Sequence, residues 1–210
     1  MINYNNKAKW FNIKCSIVEF YRKNRWLIIL LGVLILLSLL TGIFTSIKLY
    51  NLDNDIDLKG FSVYAVLDGS IYSFKYFLLR FISNLFVVGL LFLFCMNKFV
   101  SVFGVVLIVY RAFLITLNCT FIIIKQGLGG IFTSIIIVFP CQLLCLIMLA
   151  LIFIVLLKLF KDKKECGVFD RNLFRLITFL LIGILIIDLI EILLLLLFKP
   201  TTIYVIWQNL

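Results

Sequence analysis

Histidine is absent from this chain of 210 residues, which also has only 2 prolines and 10 acidic residues. Without histidine the chain cannot form a Ser-His-Asp or Cys-His nucleophile pair, and it lacks the commonest ligand of transition metals. No Walker-type phosphate-binding motif occurs either, which disfavours a primary pump. We therefore expect a protein that is not an enzyme and that holds no cofactor or metal.

Charged residues are scarce as well: they form 14% of the chain, whereas hydrophobic residues form 64% and the mean hydropathy is +1.21. Soluble domains average about 45–50% apolar and about 25% charged residues. The apolar residues fall in runs near the length that crosses a hydrocarbon core of roughly 30 Å as a helix, and not in the short alternating segments of a β-barrel. This composition predicts an all-α, polytopic transmembrane helix bundle.

Five apolar runs mark the expected spans. They lie at about 26–47, 81–97, 100–124, 131–157 and 176–198. Lysine and arginine crowd before the first run and between the fourth and fifth, and such segments stay on the cytoplasmic side. We expect the N-terminus inside and the C-terminus outside. The net charge of +10 then sets topology and contacts membrane lipids, and no nucleic acid partner is expected.

This topology assigns each polar segment to one side of the membrane. Residues 1–25 form either a basic amphipathic segment on the cytoplasmic leaflet or a flexible tail. The other segments are an outer loop 48–80 that ends in an interfacial helix from Gly69, an inner basic loop 158–175 and an outer interfacial tail 201–210. The acidic run 53–57 starts like a calcium loop but lacks its glycine and closing glutamate, so a solvated surface is favoured over a calcium site.

None of the six cysteines falls in the outer loop, so we expect no disulfide framework. Cys141 and Cys145 stand at the i, i+4 spacing of one helix face. They could bind a metal, but small residues that let helices pack closely are the favoured interpretation.

Three charged residues lie within apolar runs: Arg111 in the third span, and Asp188 and Glu191 in the fifth. A charge in a lipid-facing run is costly unless it finds a partner. Arg111 and Asp188 stand about 15 Å and about 18 Å from the inner ends of their spans, so we expect the arginine and the acids to meet. A structural ion pair with one acid protonated is favoured over a gate or a proton-coupled site. Two acids on one helix face cannot flank a substrate bond as an aspartyl enzyme requires.

Small and helix-breaking residues mark the other expected features. Glycines in the run 125–130 predict a tight outer turn between the third and fourth spans. Pro140 predicts a kink whose freed carbonyl is covered by Ser134 or Gln142. In the second span, Asn84 is a candidate for an interhelical hydrogen bond and Gly89 for a close backbone approach.

The order and spacing of these features, over about residues 80–200, resemble the stage II sporulation protein M family of bacterial membrane proteins. The shared features are an Asn at the entry of the second span with a Gly five residues later, a basic residue deep in the third, a G-L-x-G turn, a mid-helix Pro in the fourth and a Glu in the last. Here they are Asn84, Gly89, Arg111, Gly127, Leu128, Gly130, Pro140 and Glu191.

The resemblance implies a non-enzymatic scaffold in the bacterial cell membrane. In that family the protein sits in the septal membrane of the mother cell and anchors peptidoglycan-degrading partners during engulfment of the forespore. The outer loop and the face near residues 127–130 would then contact these partners, and a homo-oligomer stays open. Similar proteins in bacteriocin clusters imply an alternative, a permease-like or accessory subunit for export or self-protection.

Overall fold

The computed structural model describes residue 22 and residues 25–52, 73–97, 99–166 and 171–208. Every regular element in these ranges is helical. The helices are α1 (Arg25–Leu52), α2 (Ser73–Cys95), α3 (Ser101–Phe132), a π-helical segment (Thr133–Val138), α4 (Phe139–Cys166) and α5 (Arg171–Gln208).

Five helical stretches are long and apolar enough to cross a membrane, by length and composition. They are Ile28–Tyr50, Phe74–Cys95, Ser101–Ile124, Gly127–Lys161 and Leu173–Phe198. The predicted all-α, polytopic bundle with five spans is therefore confirmed, and the protein is a multi-pass membrane protein.

The helices extend beyond the apolar runs. The segment from Ser73 to Arg80, predicted as part of an interfacial helix at the end of the outer loop, is helical and forms the first part of α2. Helix α4 continues to Cys166, so most of the expected inner basic loop is helical, and α5 continues to Gln208 through most of the expected outer tail. Hydropathy marks where a chain leaves the lipid, whereas lysine and glutamate are good helix formers and let a helix continue past that point. Most of the predicted segment 1–25 and residues 53–72 of the predicted outer loop lie outside the described residues.

Helices α2, α3, α4 and α5 pack around one core, and α1 packs mainly on α3. Fully buried side chains from all four helices fill this core: Leu91, Ile108, Ile152, Leu159 and Ile184. The outer faces carry large apolar side chains such as Leu36 and Phe86. Lipid tails are as apolar as these side chains, so in a membrane their exposure costs nothing and helix association depends on close packing and polar contacts.

Small residues bring α1 against α3. Ser38 Oγ donates to the Val109 carbonyl at 2.6 Å and Ser46 Oγ donates to the Leu117 carbonyl at 3.2 Å. Because both contacts join residues 71 positions apart, the two helices run parallel. Gly42 lies between the serines, where a Cβ atom would overlap Thr116 Oγ1 and stand 2.7 Å from the Phe113 carbonyl oxygen. The spacing Ser-x3-Gly-x3-Ser is a small-residue pattern in the sequence, and it could have predicted this contact.

A sharp reversal at Gly127 joins the third and fourth spans. Its φ of 56° and ψ of −129° interrupt α3, and it is the one residue with positive φ in the described ranges. Only glycine adopts this region without strain. After the turn, Gly130 lies against the backbone of Ile122, where a Cβ would stand 2.9 Å from the carbonyl carbon. The glycines thus form the predicted turn and let its two limbs touch, while Leu128 between them is exposed.

The π-helical segment Thr133–Val138 ends two residues before Pro140. Phe139 N–H bonds to the Ser134 carbonyl, five residues back. Proline lacks an N–H group and crowds the preceding turn, and a π-bulge accommodates both effects locally. The predicted role of Ser134 was wrong, because its hydroxyl donates at 3.1 Å to the Cys119 carbonyl on α3. Gln142 is also engaged elsewhere, at the site described below.

Candidate functional site

Asp188 and Glu191 lie on one face of α5 and are both fully buried. Their ion-pair partner is Arg80 of α2. Arg80 Nε stands 2.9 Å from Asp188 Oδ1, and Arg80 Nη1 stands 2.7 Å from Glu191 Oε1. One guanidinium therefore bridges both carboxylates, which replaces the direct pairing with Arg111 that the sequence predicts.

Arg80 reaches the acids because α2 begins at Ser73. It lies seven residues into the helix, about 10 Å from its start. Helix α2 is antiparallel to α5, since Tyr76 contacts Glu191 whereas Asn84 contacts the earlier Asp188. Sequence reasoning missed the role of Arg80 because it placed this residue in an interfacial helix before the second span, which was expected to begin at residue 81. The signal that could have found it is the run FKYFLLRFISNLF, whose apolar residues continue on both sides of the arginine.

Two neutral side chains of α2 complete the shell around the carboxylates. The Tyr76 hydroxyl donates to Glu191 Oε1 at 3.2 Å and accepts from Arg80 Nη1 at 2.8 Å. Asn84 Nδ2 donates to Asp188 Oδ2 at 2.8 Å. Residues 76, 80 and 84 repeat every four positions and so form one stripe on the helix facing α5. The stripe fixes α2 and α5 in register through charge-assisted hydrogen bonds, which are stronger than neutral ones.

A thiol of α4 also reaches this shell. Cys145 Sγ donates to Asp188 Oδ1 at 3.5 Å. Cys141 is buried one turn earlier as a free thiol. Within the described residues no group of three or more His, Cys, Asp or Glu side chains could hold a metal ion.

Arg111 of α3 meets the network at its edge. Its Nη2 atom donates to Ser83 Oγ at 2.8 Å and to Asn84 Oδ1 at 3.1 Å. Asn84 thus stands between Arg111 and Asp188, bonded to both. The predicted meeting of the third and fifth spans is mediated by this amide. The charge of the arginine is met by neutral groups, since the nearest carboxylates are already held by Arg80.

The cluster is formally neutral, with two guanidinium and two carboxylate groups, but its charges are unevenly matched. Arg80 touches both acids and keeps only 13% of its side chain exposed. Removing one partner of a buried pair leaves an uncompensated charge, at a cost of about 3–5 kcal/mol. The cluster therefore constrains the bundle strongly, and Arg111 is its one cation without a carboxylate contact among the described residues.

A cavity of about 160 Å³ lies beside this cluster. Its floor is formed by buried residues of α4, and its rim by α2 and α3, where Leu79 is half-exposed and Ser83 is exposed. The polar side chains that line it are Tyr76, Arg80, Ser83, Asn84, Arg111, Asn118 and Gln142. The cavity thus opens sideways between α2 and α3 and not through α4.

Two buried oxygen atoms near the site have no hydrogen-bond partner in the described structure: Asn118 Oδ1 and Glu191 Oε2. Asn118 lines the cavity, whereas neither Asp188 nor Glu191 does. Gln142 approaches the Glu191 carboxylate from α4. Buried polar atoms are usually satisfied, so Asn118 Oδ1 marks a position in the cavity where water or a ligand atom would bind.

The remaining residues singled out by the sequence lie outside the charge network. Gly127, Gly130 and Pro140 shape the hairpin between the third and fourth spans. Gly89 does not serve a close helix approach as predicted: it is exposed, and a Cβ there would meet nothing within 4 Å. It lies on the outer face of α2, away from the face that carries Tyr76 and Arg80.

Comparisons with protein-family models, curated proteins and solved structures find no match for this chain.

Proposed function

We propose that the protein is a non-enzymatic scaffold of the bacterial cell membrane that anchors peptidoglycan-degrading partners, in the manner of stage II sporulation protein M. The observation that carries this proposal is the use of both intramembrane carboxylates in an internal ion bridge. Asp188 and Glu191 have no exposed surface and are held by Arg80, so they serve the register of the helices. A rigid bundle with a large apolar surface is suited to holding other membrane proteins through helix contacts.

The features behind the family resemblance have structural roles that suit a fixed frame. Asn84 joins α2 to both α3 and α5, and the glycine turn ties the third span to the fourth. Such contacts restrain motion between helices. They favour a protein that presents partners in a set arrangement over one that must rearrange during a catalytic cycle.

The proposal is tested in the source organism with the full-length chain carrying an affinity tag. We expect mild detergent extracts to yield cell-wall hydrolases enriched over an untagged strain. Deletion of the gene should arrest membrane migration around the forespore, and the Lys75→Gln variant, altered at an exposed position on α2, should restore it as well as the wild type. Normal engulfment in the deletion strain, together with no enriched hydrolase, would contradict the proposal.

A second candidate is an accessory or permease-like subunit of a bacteriocin-type export or self-protection system. The observation that favours it is the cavity of about 160 Å³ between α2 and α3, which is lined by polar side chains and has room for water or a small ion. On this alternative the tagged chain should retain a transporter ATPase, and the deletion strain should become sensitive to the bacteriocin while engulfment stays normal.

A further inference from the structure

Arg111 has hydrogen-bonding capacity that the described structure leaves unused. An arginine side chain has five N–H donors. The two on Nη2 bond to Ser83 and Asn84, and those on Nη1 and Nε have no partner among the described residues. The side chain lines the cavity between α2 and α3.

The position of Arg111 limits which anion can reach it. It lies ten residues from Ser101 and thirteen from Ile124, the ends of its apolar stretch. These separations correspond to about 15 Å and about 20 Å along the helix, so phosphates of lipid headgroups lie beyond the length of an arginine side chain. The cavity does open sideways, through a groove between α2 and α3 that passes the exposed Ser83 and the half-exposed Leu79. An anion that enters from the side must itself be carried within the membrane.

We propose that the groove between α2 and α3 binds a transmembrane helix of a partner protein through an aspartate or glutamate at the depth of Arg111. The inference rests on the proposed scaffold function and gives the chemistry of its partner. A carboxylate in the cavity would accept a charge-assisted hydrogen bond from Nη1 or from Nε of Arg111. It would also supply the carboxylate contact that Arg111 lacks among the described residues.

The described transmembrane stretches of a second copy offer no free carboxylate for this position. Within the described transmembrane stretches the only acidic residues are Asp188 and Glu191, and both are fully buried and bound to Arg80. The α1 helix leaves the groove open, because it packs mainly on α3 through contacts at Val109, Phe113, Thr116 and Leu117. Because an α-helix turns by about 100° per residue, Arg111 and Asn118 lie on the side of α3 opposite to these contacts.

The test places a photo-crosslinking amino acid at Leu79, at the rim of the groove, in the full-length chain in its native membrane. The matched control carries the same probe at Leu36 on the exposed face of α1. We expect the Leu79 probe to link a membrane protein at a transmembrane segment that contains Asp or Glu. Arg111→Gln should lower this product at least tenfold, whereas Arg111→Lys should retain most of it.

A variant on the partner side keeps the test valid if Arg111→Gln fails to accumulate. Replacing the partner's intramembrane acid by its amide, with this chain unchanged, should give the same tenfold loss. Arg111→Glu combined with arginine at the partner position should restore the product. Restoration of the crosslinked product would show that the interaction depends on opposite charges at the two positions and not on which residue carries each charge.

Several results would overturn the inference. One is a Leu79 crosslink whose yield Arg111→Gln leaves unchanged, and another is a crosslinked segment that contains no acidic residue. A crosslink to a second copy, or within the chain to the acidic residues at 53–68, would also overturn it. So would a crosslink to lipid alone, which is expected if a small free anion fills the cavity. A partner linked from Leu36 and not from Leu79 would defeat this inference and leave the scaffold function standing. No partner from either probe and none in co-purification would defeat both.

Discussion

Arg80 and Asp188, 108 positions apart in the chain, meet with Nε and Oδ1 at 2.9 Å inside the bundle. The same guanidinium reaches Glu191 at 2.7 Å. Because one cation holds both carboxylates, loss of Arg80 leaves two buried acids without a counter-ion. The energetic weight of the network is therefore concentrated on this residue.

We expect Arg80→Gln to destabilise the protein by about 3–5 kcal/mol, the cost of breaking a buried ion pair. The measurement is thermal unfolding of the purified protein in nanodiscs, together with its level in membranes. Lys75→Gln is the matched control, since it removes an exposed cation from the same helix. Equal melting temperatures for the two variants would mean that the ion bridge contributes nothing to stability.

Arg111→Gln should destabilise less than Arg80→Gln. Arg111 donates to the neutral Ser83 and Asn84, and hydrogen bonds of a charged group contribute about 1.5–3 kcal/mol. Removing its charge also relieves the cost of a cation without a carboxylate contact. The same unfolding measurement ranks the two variants, and a larger loss for Arg111→Gln would show that Arg111 is the main counter-ion of the acids after all.

The contact between α1 and α3 depends on Gly42. We expect Gly42→Ala to cost about 1–3 kcal/mol, typical of an overpacked site, because the new methyl group would press on Thr116 and the Phe113 carbonyl. Gly32→Ala is the control in the same helix, since a Cβ there meets nothing within 4 Å. Alanine is the better helix former by about 1 kcal/mol, so the control should be neutral or stabilising. Equal melting temperatures for the two variants would show that this contact does not hold α1 against α3.

The hairpin between the third and fourth spans is tested by a second comparison of two glycine variants. Gly130→Ala should lower accumulation and melting temperature, because a Cβ would collide with the backbone of Ile122, which cannot move as a side chain can. Gly89→Ala should leave both unchanged or slightly raised, since its surroundings are open. A harmless Gly130→Ala would indicate that the two limbs of the turn do not touch in the membrane.

The orientation of the bundle is tested by labelling single cysteines in a cysteine-free background. We expect Ser62→Cys to react with an impermeant thiol reagent in intact cells and Lys163→Cys to react only after lysis, because basic segments are retained inside. The reverse pattern would invert the topology.

Composition and the length of the apolar runs determined the class of this protein. Five stretches of sufficient hydropathy, the turn at Gly127 and the departure from regular α-helix before Pro140 all follow from local chemistry, namely transfer into lipid, the φ freedom of glycine and the missing N–H of proline. The sequence also identified Asp188, Glu191, Asn84 and Arg111 as unusual, since polar groups inside an apolar run need partners.

Only the tertiary structure decided how those partners are paired. Hydropathy placed Arg80 in an interfacial helix outside the second span, but α2 begins at Ser73 and includes this residue in the bundle. The antiparallel packing of α2 on α5 sets Arg80 opposite both acids. Arg111 stands at a suitable depth but on another helix, and it reaches only as far as Asn84. Depth along each helix follows from counting residues, whereas contact depends on which helices are neighbours and how each is rotated about its axis, and these are fixed by the packing of the whole bundle.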